Sequence, residues 1–120
     1  MSVYVKQNSG VTPITNSTQI INRNIENANY NLTLHIMKYG KIVNYNISNY
    51  IGISLTANKT YSPFKPADTI PLHRRYYVFY HNPSLIFDFV IELDGTVSII
   101  PQVTIAKGAP INIDVVFLQA

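Results

Sequence analysis

Three histidines, six carboxylates and nine tyrosines are the side chains in this 120-residue chain that could do chemistry. His35, His73 and His81 stand too far apart in sequence to show close metal-ligand spacing. Asp88 and Glu92 share one face of an alternating stretch, but four residues of strand rise separate them by about 13 Å. The carboxylate pair of a retaining or inverting glycosidase needs about 5–5.5 Å or 6.5–9.5 Å. Glu92 and Asp94 are nearer, yet Asp94-Gly95 reads as a hairpin turn, where aspartate is ordinary. There is no cysteine, hence no thiol nucleophile, disulfide or cysteine zinc site. No Gly-x-Ser-x-Gly elbow or phosphate-cradling glycine loop occurs. The expectation is a chain with no catalytic residues, no metal and no cofactor.

What remains is binding chemistry. Only 12% of the residues are charged, about half the usual ~25%. Asparagine, serine, threonine and tyrosine carry the polarity. A neutral, tyrosine-rich surface suits a protein interface or a sugar face. Sugar sites set an aromatic face beside amides and hydroxyls, and Tyr50, Tyr61 and Phe64 are the rings available for that. The net charge of +3 is a mild lysine excess. His73-Arg74-Arg75-Tyr76-Tyr77 is the one basic–aromatic cluster and is too small for a phosphate-tracking groove, so nucleic acid is not an expected partner. No run reaches the ~18 apolar residues of a membrane helix. Residues 1–20 lack the basic start, apolar stretch and cleavage site of a signal peptide. A protein that acts outside a cell without one leaves by lysis or is built into a particle. The Asn-x-Ser/Thr triplets at Asn16, Asn31, Asn46 and Asn58 follow from composition alone.

The elements that must position these side chains are strands. Leu32, Leu34 and Ile36 alternate with Thr33, His35 and Met37; Val43, Tyr45 and Ile47 alternate with Asn44 and Asn46. Ile51, Ile53 and Leu55 continue the pattern, as do Leu85–Leu93, Val97 with Ile99, Val103 with Ile105, and Ile111–Phe117. A period of two puts alternate side chains on opposite faces. With turns at Tyr39-Gly40-Lys41, Asn82-Pro83, Asp94-Gly95 and Gly108-Ala-Pro110, this predicts an all-β fold: an antiparallel, jelly-roll-like β-sandwich of about eight strands. Phe87, Phe89, Ile113 and Val115 are its expected core. Pro63, Pro66 and Pro71 make 57–71 the one long loop.

The domain reading is a head over 31–120 preceded by residues 1–30, an N-terminal arm or a first strand with a tether. Met1–Gln7 suits a short strand, 8–13 a turn, and the asparagine-rich stretch 16–31 an extended or irregular arm. Residues 75–81 are aromatic on both faces, Tyr77 and Phe79 against Tyr76 and Tyr80. A strand apolar on both sides is buried twice, which makes Arg75, Tyr76 and Tyr80 the expected subunit contact.

Four short motifs in order resemble the C-terminal head domains of tailed-phage baseplate and tail-fibre proteins. They are Lys38-Tyr-Gly-Lys-Ile-Val43, Thr69-Ile-Pro-Leu72, Glu92-Leu-Asp-Gly-Thr-Val-Ser-Ile99 and Gly108-Ala-Pro-Ile-Asn-Ile113, spread over about two-thirds of the chain. After Pro71 such heads usually read tyrosine-arginine-proline; here Leu72-His-Arg-Arg-Tyr-Tyr77 has no proline. The resemblance implies a homotrimeric receptor-binding head on a virion. Its arm would join other virion proteins, and it would bind a bacterial cell-surface saccharide for host attachment. The alternative it leaves open is a purely structural virion component (head fibre, decoration or baseplate connector) that binds only other virion proteins.

Overall fold

The computed structural model describes residues 20–120 and, before them, the backbone of two short strands, β1 (Tyr4–Val5) and β2 (Thr12–Pro13), which pair antiparallel. Thr12 and Pro13 of the expected turn are therefore paired. The rest of that turn, the stretch 14–19 and Asn16 lie outside the described residues. Eight further strands follow: β3 (Ile20–Asn27), β4 (Leu32–Tyr39), β5 (Ile42–Tyr50), β6 (Tyr61–Phe64), β7 (Arg75–Asn82), β8 (Leu85–Ile91), β9 (Val97–Pro101) and β10 (Pro110–Leu118). They form two antiparallel four-stranded sheets, β10-β5-β4-β3 and β6-β9-β8-β7, packed as a β-sandwich. No helix occurs among the described residues.

Alternation decides which side chains enter the core. Leu32, Leu34 and Ile36 of β4, Val43, Tyr45 and Ile47 of β5, and Ile111, Ile113, Val115 and Phe117 of β10 point inward from sheet one. Leu85, Phe87, Phe89 and Ile91 of β8 with Val97 and Ile99 of β9 meet them from sheet two. The four expected core residues are all buried. Leu93, expected to extend the β8 stripe, lies past the strand end and is exposed.

The asparagine-rich stretch resolves in favour of a strand. Ile20–Asn27 pairs with β4 over its whole length, so residues before 31 belong to the sandwich. Ile21 and Ile25 turn toward the sandwich while Asn22 and Asn24 face water, the pattern of an edge strand wet on one side. β7 is likewise an edge strand, with Tyr77 and Phe79 half-buried inward and Tyr76, Val78 and Tyr80 exposed outward.

Hairpins stay within one sheet, a plainer route than the jelly roll expected. β3-β4-β5 is a meander in sheet one, and the next strand, β6, crosses to sheet two. β7-β8-β9 is a meander in sheet two, and the next strand, β10, crosses back to sheet one. Each half of the chain thus gives its fourth strand to the other half's sheet.

The two crossing segments, 51–60 and 102–109, meet in the middle. Their alternating stretches, Ile51–Leu55 and Val103–Ile105, are expected as strands; each instead belongs to a connection with a single bridge residue, Leu55 opposite Ile105. Their hydrogen bonds come in matched pairs. Leu55 N donates to Ile105 O at 2.9 Å and Ile105 N to Leu55 O at 2.8 Å. Asn58 N donates to Pro101 O and Gly108 N to Ile51 O, both at 2.7 Å. Ala57 N donates to Thr104 Oγ1 and Lys107 N to Ser54 Oγ, both at 3.3 Å. In each pair the roles are exchanged between residues fifty apart, the relation a two-fold axis through Leu55 and Ile105 would impose. The same offset relates Ile111 opposite Asn49 to Tyr61 opposite Ile99.

Both sheets break this symmetry; in sheet two the β7–β8 ladder runs on past Tyr77, the counterpart of Asn27 where β3 ends, to Asn82. By the fifty-residue offset, Tyr45 corresponds to Gly95 in the β8–β9 turn, yet the β4–β5 hairpin runs on to Tyr39 and Ile42. β3 and β10 lengthen to match. The inner face of this extension is covered by the connection 65–74. There Thr69 is buried and hydrogen-bonds the Tyr45 hydroxyl, Leu72 N donates to Leu118 O at 2.8 Å, Ala120 N donates to Ile70 O at 2.9 Å, and Asp68 pairs with Arg23.

Candidate functional site

The outer face of sheet one is read off its ladder as rows crossing four strands. Ile20, Tyr39, Ile42 and Leu118 form the row on the extension. Asn22, Met37, Asn44 and Val116 form the next, and Asn24, His35, Asn46 and Asp114 the third. The face therefore grades from apolar at the β4–β5 turn to amide-rich at the opposite end. Within the third row His35 Nδ1 donates to Asn24 Oδ1 at 2.5 Å, and Asn44 of the second row reaches it, its Nδ2 donating to Asp114 Oδ1 at 2.7 Å and to Val115 O at 3.0 Å.

The amide-rich end carries a ring. Tyr50, at the end of β5, is 64% exposed beside a shallow depression of about 370 Å³ formed with Ser48, Asn49, Pro110, Ile111 and Asn112. Asn49 also lines an adjoining depression of about 210 Å³, with Glu26, Asn27, Asn31 and Thr33 among its walls. The backbone here is pinned, which fixes where the ring stands. Asn31 Nδ2 donates to Tyr50 O at 2.8 Å, Tyr50 N donates to Asn49 Oδ1 at 2.9 Å, and Gly52 N donates to Tyr30 O at 2.7 Å. A free aromatic face flanked by amides and a hydroxyl can stack on the C–H face of a pyranose while the amides bond its hydroxyls.

The other two expected sugar rings are placed differently. Phe64 is 3% exposed and belongs to the core, so its ring has no face for a ligand. Tyr61 is half-buried: the Lys59 ammonium lies 5.4 Å from its centroid, Tyr30 meets it edge-on at 6.4 Å, and Thr56 N donates to its hydroxyl at 2.8 Å. The bond from Thr56 holds the Tyr61 phenol below its ordinary pKa. Neither stands with Tyr50. Both lie in 57–71, where the prolines predict one loop and the structure forms the strand Tyr61–Phe64 on the edge of sheet two.

On sheet two's outer face Tyr76 is engaged within the chain. Its hydroxyl donates to Asp88, which raises its pKa, and the Arg74 guanidinium lies 5.8 Å from its ring centroid. Asp88 also accepts from Gln102 Nε2 at 2.7 Å, and Arg74 Nε reaches Glu92 at 2.6 Å. Arg75 turns to the other side, 5.9 Å from the Tyr77 centroid. Tyr80 is exposed. The three interface candidates thus do not share one face. Among the described residues no group of three or more His, Asp or Glu side chains is arranged to hold a metal ion.

The row Asn24–His35–Asn46–Asp114 escaped sequence reading, although Asn44 and Asn46 had been placed opposite the core face. Its members come from four strands spread over ninety residues, and only register aligns them. The chain matches no known family, and no curated protein matches it.

Proposed function

We propose that this protein is a non-enzymatic attachment head of the tail-fibre and baseplate type, carried on a phage virion as a homotrimer, and that it binds host-surface glycan. The observation that carries this reading is Tyr50. It is an exposed ring on a rigidly pinned strand end, flanked by Ser48, Asn49 and Asn112, on a face with few charges. The low charge fraction and the four head-like motifs support the same reading. The test is binding of the full chain to an array of bacterial cell-wall saccharides, repeated with Tyr50→Ala. A glycan bound by the parent and about tenfold more weakly by the variant, a loss of about 1.4 kcal/mol, is the expected result. Binding that ignores the substitution would move the site elsewhere.

A second reading, a structural virion component that binds only protein, is favoured by the apolar rows at the other end of the same face. An array on which no glycan binds, together with retention in assembled particles, would select it.

A further inference from the structure

We infer that the apolar extension of sheet one is a self-association face, and that its occupant is the same face of another copy of this chain. Seven large side chains meet there: Ile20, Met37, Tyr39, Ile42, Val116 and Leu118 on the strands, and Leu72 beside them. Each is between 45 and 66% exposed. They are continuous: Met37, Tyr39 and Ile42 with Ile20 line one hollow, and Ile42 with Leu72, Val116 and Leu118 lines the next.

Area decides what kind of partner fits. At about 100 Å² per half-exposed large side chain, the seven present roughly 700 Å². That exceeds the few hundred Å² a monomer usually exposes and approaches the ~800 Å² per partner of a stable interface. The seven side chains are themselves uncharged, and Lys38, His73 and Arg75 stand at the walls of the two hollows. A copy of the same face offers an equally apolar and equally sized surface.

The position of the patch argues independently for the same role. The extension departs from the internal two-fold relation, as the far end of the β7–β8 hairpin also does; its inner side is closed by the connection 65–74, while among the described residues nothing covers its outer side. Added strand length that buries only one of its faces costs ordering without the second burial. Contact with another copy supplies it. The tyrosines of β7 are the weaker candidate, because Tyr76 is already capped by Arg74 and bound to Asp88.

This deepens the reading of the chain as an assembling head and rests on it for oligomerisation, but not for glycan binding. The experiment is sedimentation velocity on the full chain up to about 100 µM, above the micromolar end of affinities for interfaces of this size. The parent is expected to sediment as a dimer or trimer. Ile42→Asp and Leu118→Asp are expected to be monomers with unchanged strand signal by circular dichroism, while Tyr80→Asp stays assembled. A monomeric parent, or aspartate variants that remain assembled, overturns the inference. Should the aspartate variants misfold, a photo-crosslinking residue at Tyr39 in mixed heavy and light isotopic copies decides. Heavy–light products joined at Tyr39, Ile42 or Leu118 support it; products only within one chain, for instance to residues 1–19, overturn it. Glycan binding by a monomeric Ile42→Asp variant tests the Tyr50 site separately, so loss of one reading leaves the other measurable.

Discussion

Gly95 and Gly108 have the same backbone angle, φ 91°, and opposite surroundings, so replacing each by alanine separates strain from crowding. An alanine held at positive φ costs about 1–2 kcal/mol, offset by roughly 0.4–1 kcal/mol because it restricts the unfolded chain. At Gly108 a Cβ would meet nothing within 4 Å, so the expected loss is that residue of strain, about 1 kcal/mol. At Gly95 the Cβ would lie 2.8 Å from the Pro66 carbonyl oxygen and 2.8 Å from Ile70 Cδ1. The Ile70 methyl can swing away, but the carbonyl is backbone, and overpacking of this kind costs a further ~1–3 kcal/mol. Gly95→Ala should therefore lose about 2–4 kcal/mol. In equilibrium urea unfolding with a slope of about 2 kcal/mol/M, the two variants should differ in midpoint by roughly 0.5–1.5 M. Equal midpoints would refute the reasoning. They would mean that the connection 65–74 is not seated on the β8–β9 turn, and the cover of the sheet-one extension would fall with it.

Phe89, fully buried opposite Tyr77 and Ile99 and edge-on to Phe79 at 6.3 Å, should cost about 3–5 kcal/mol when truncated to alanine; a loss under about 1 kcal/mol in the same unfolding assay would mean the strand is out of register. Burial pushes the Tyr45 phenol up to about 12 from an ordinary 10.0. The unfolded chain then releases this proton first, so stability should fall as pH rises from about 10 to about 12, and Tyr45→Phe should flatten that part of the curve relative to the parent. An identical alkaline slope in both proteins would show that other groups dominate it. The Arg23–Asp68 pair is 2.5 Å long but more than a third exposed on both sides, so Asp68→Asn should change stability by less than about 1 kcal/mol; a larger loss would mean the pair anchors the connection itself.

The sequence by itself determined the fold class and most of the core. Strict alternation leaves one register in which Leu32, Phe89, Ile113 and their neighbours are all dry, and a slip of one residue would reverse every face. It also placed Asn44 and Asn46 on the wet side of sheet one. The β3 strand was half-legible, because Ile21 and Ile25 alternate with asparagines whose weak propensity pointed instead to an irregular arm. What only the tertiary structure decided is everything that depends on which strand lies beside which. Phe64 and Tyr50 look alike in sequence; one strand end is buried against β9 and the other stands free at a corner. The internal two-fold was hidden for a related reason. Ile51–Asn58 and Pro101–Gly108 share no residue at matching positions, only kinds: apolar at Leu55 and Ile105, hydroxyl at Ser54 and Thr104, and a residue tolerant of positive φ at Asn58 and Gly108. Backbone hydrogen bonds impose the symmetry, and they constrain side chains only by class. The apolar rows are the same case, since Ile20 and Leu118 are nearly a hundred residues apart and become neighbours on one face only when β3, β4, β5 and β10 pair.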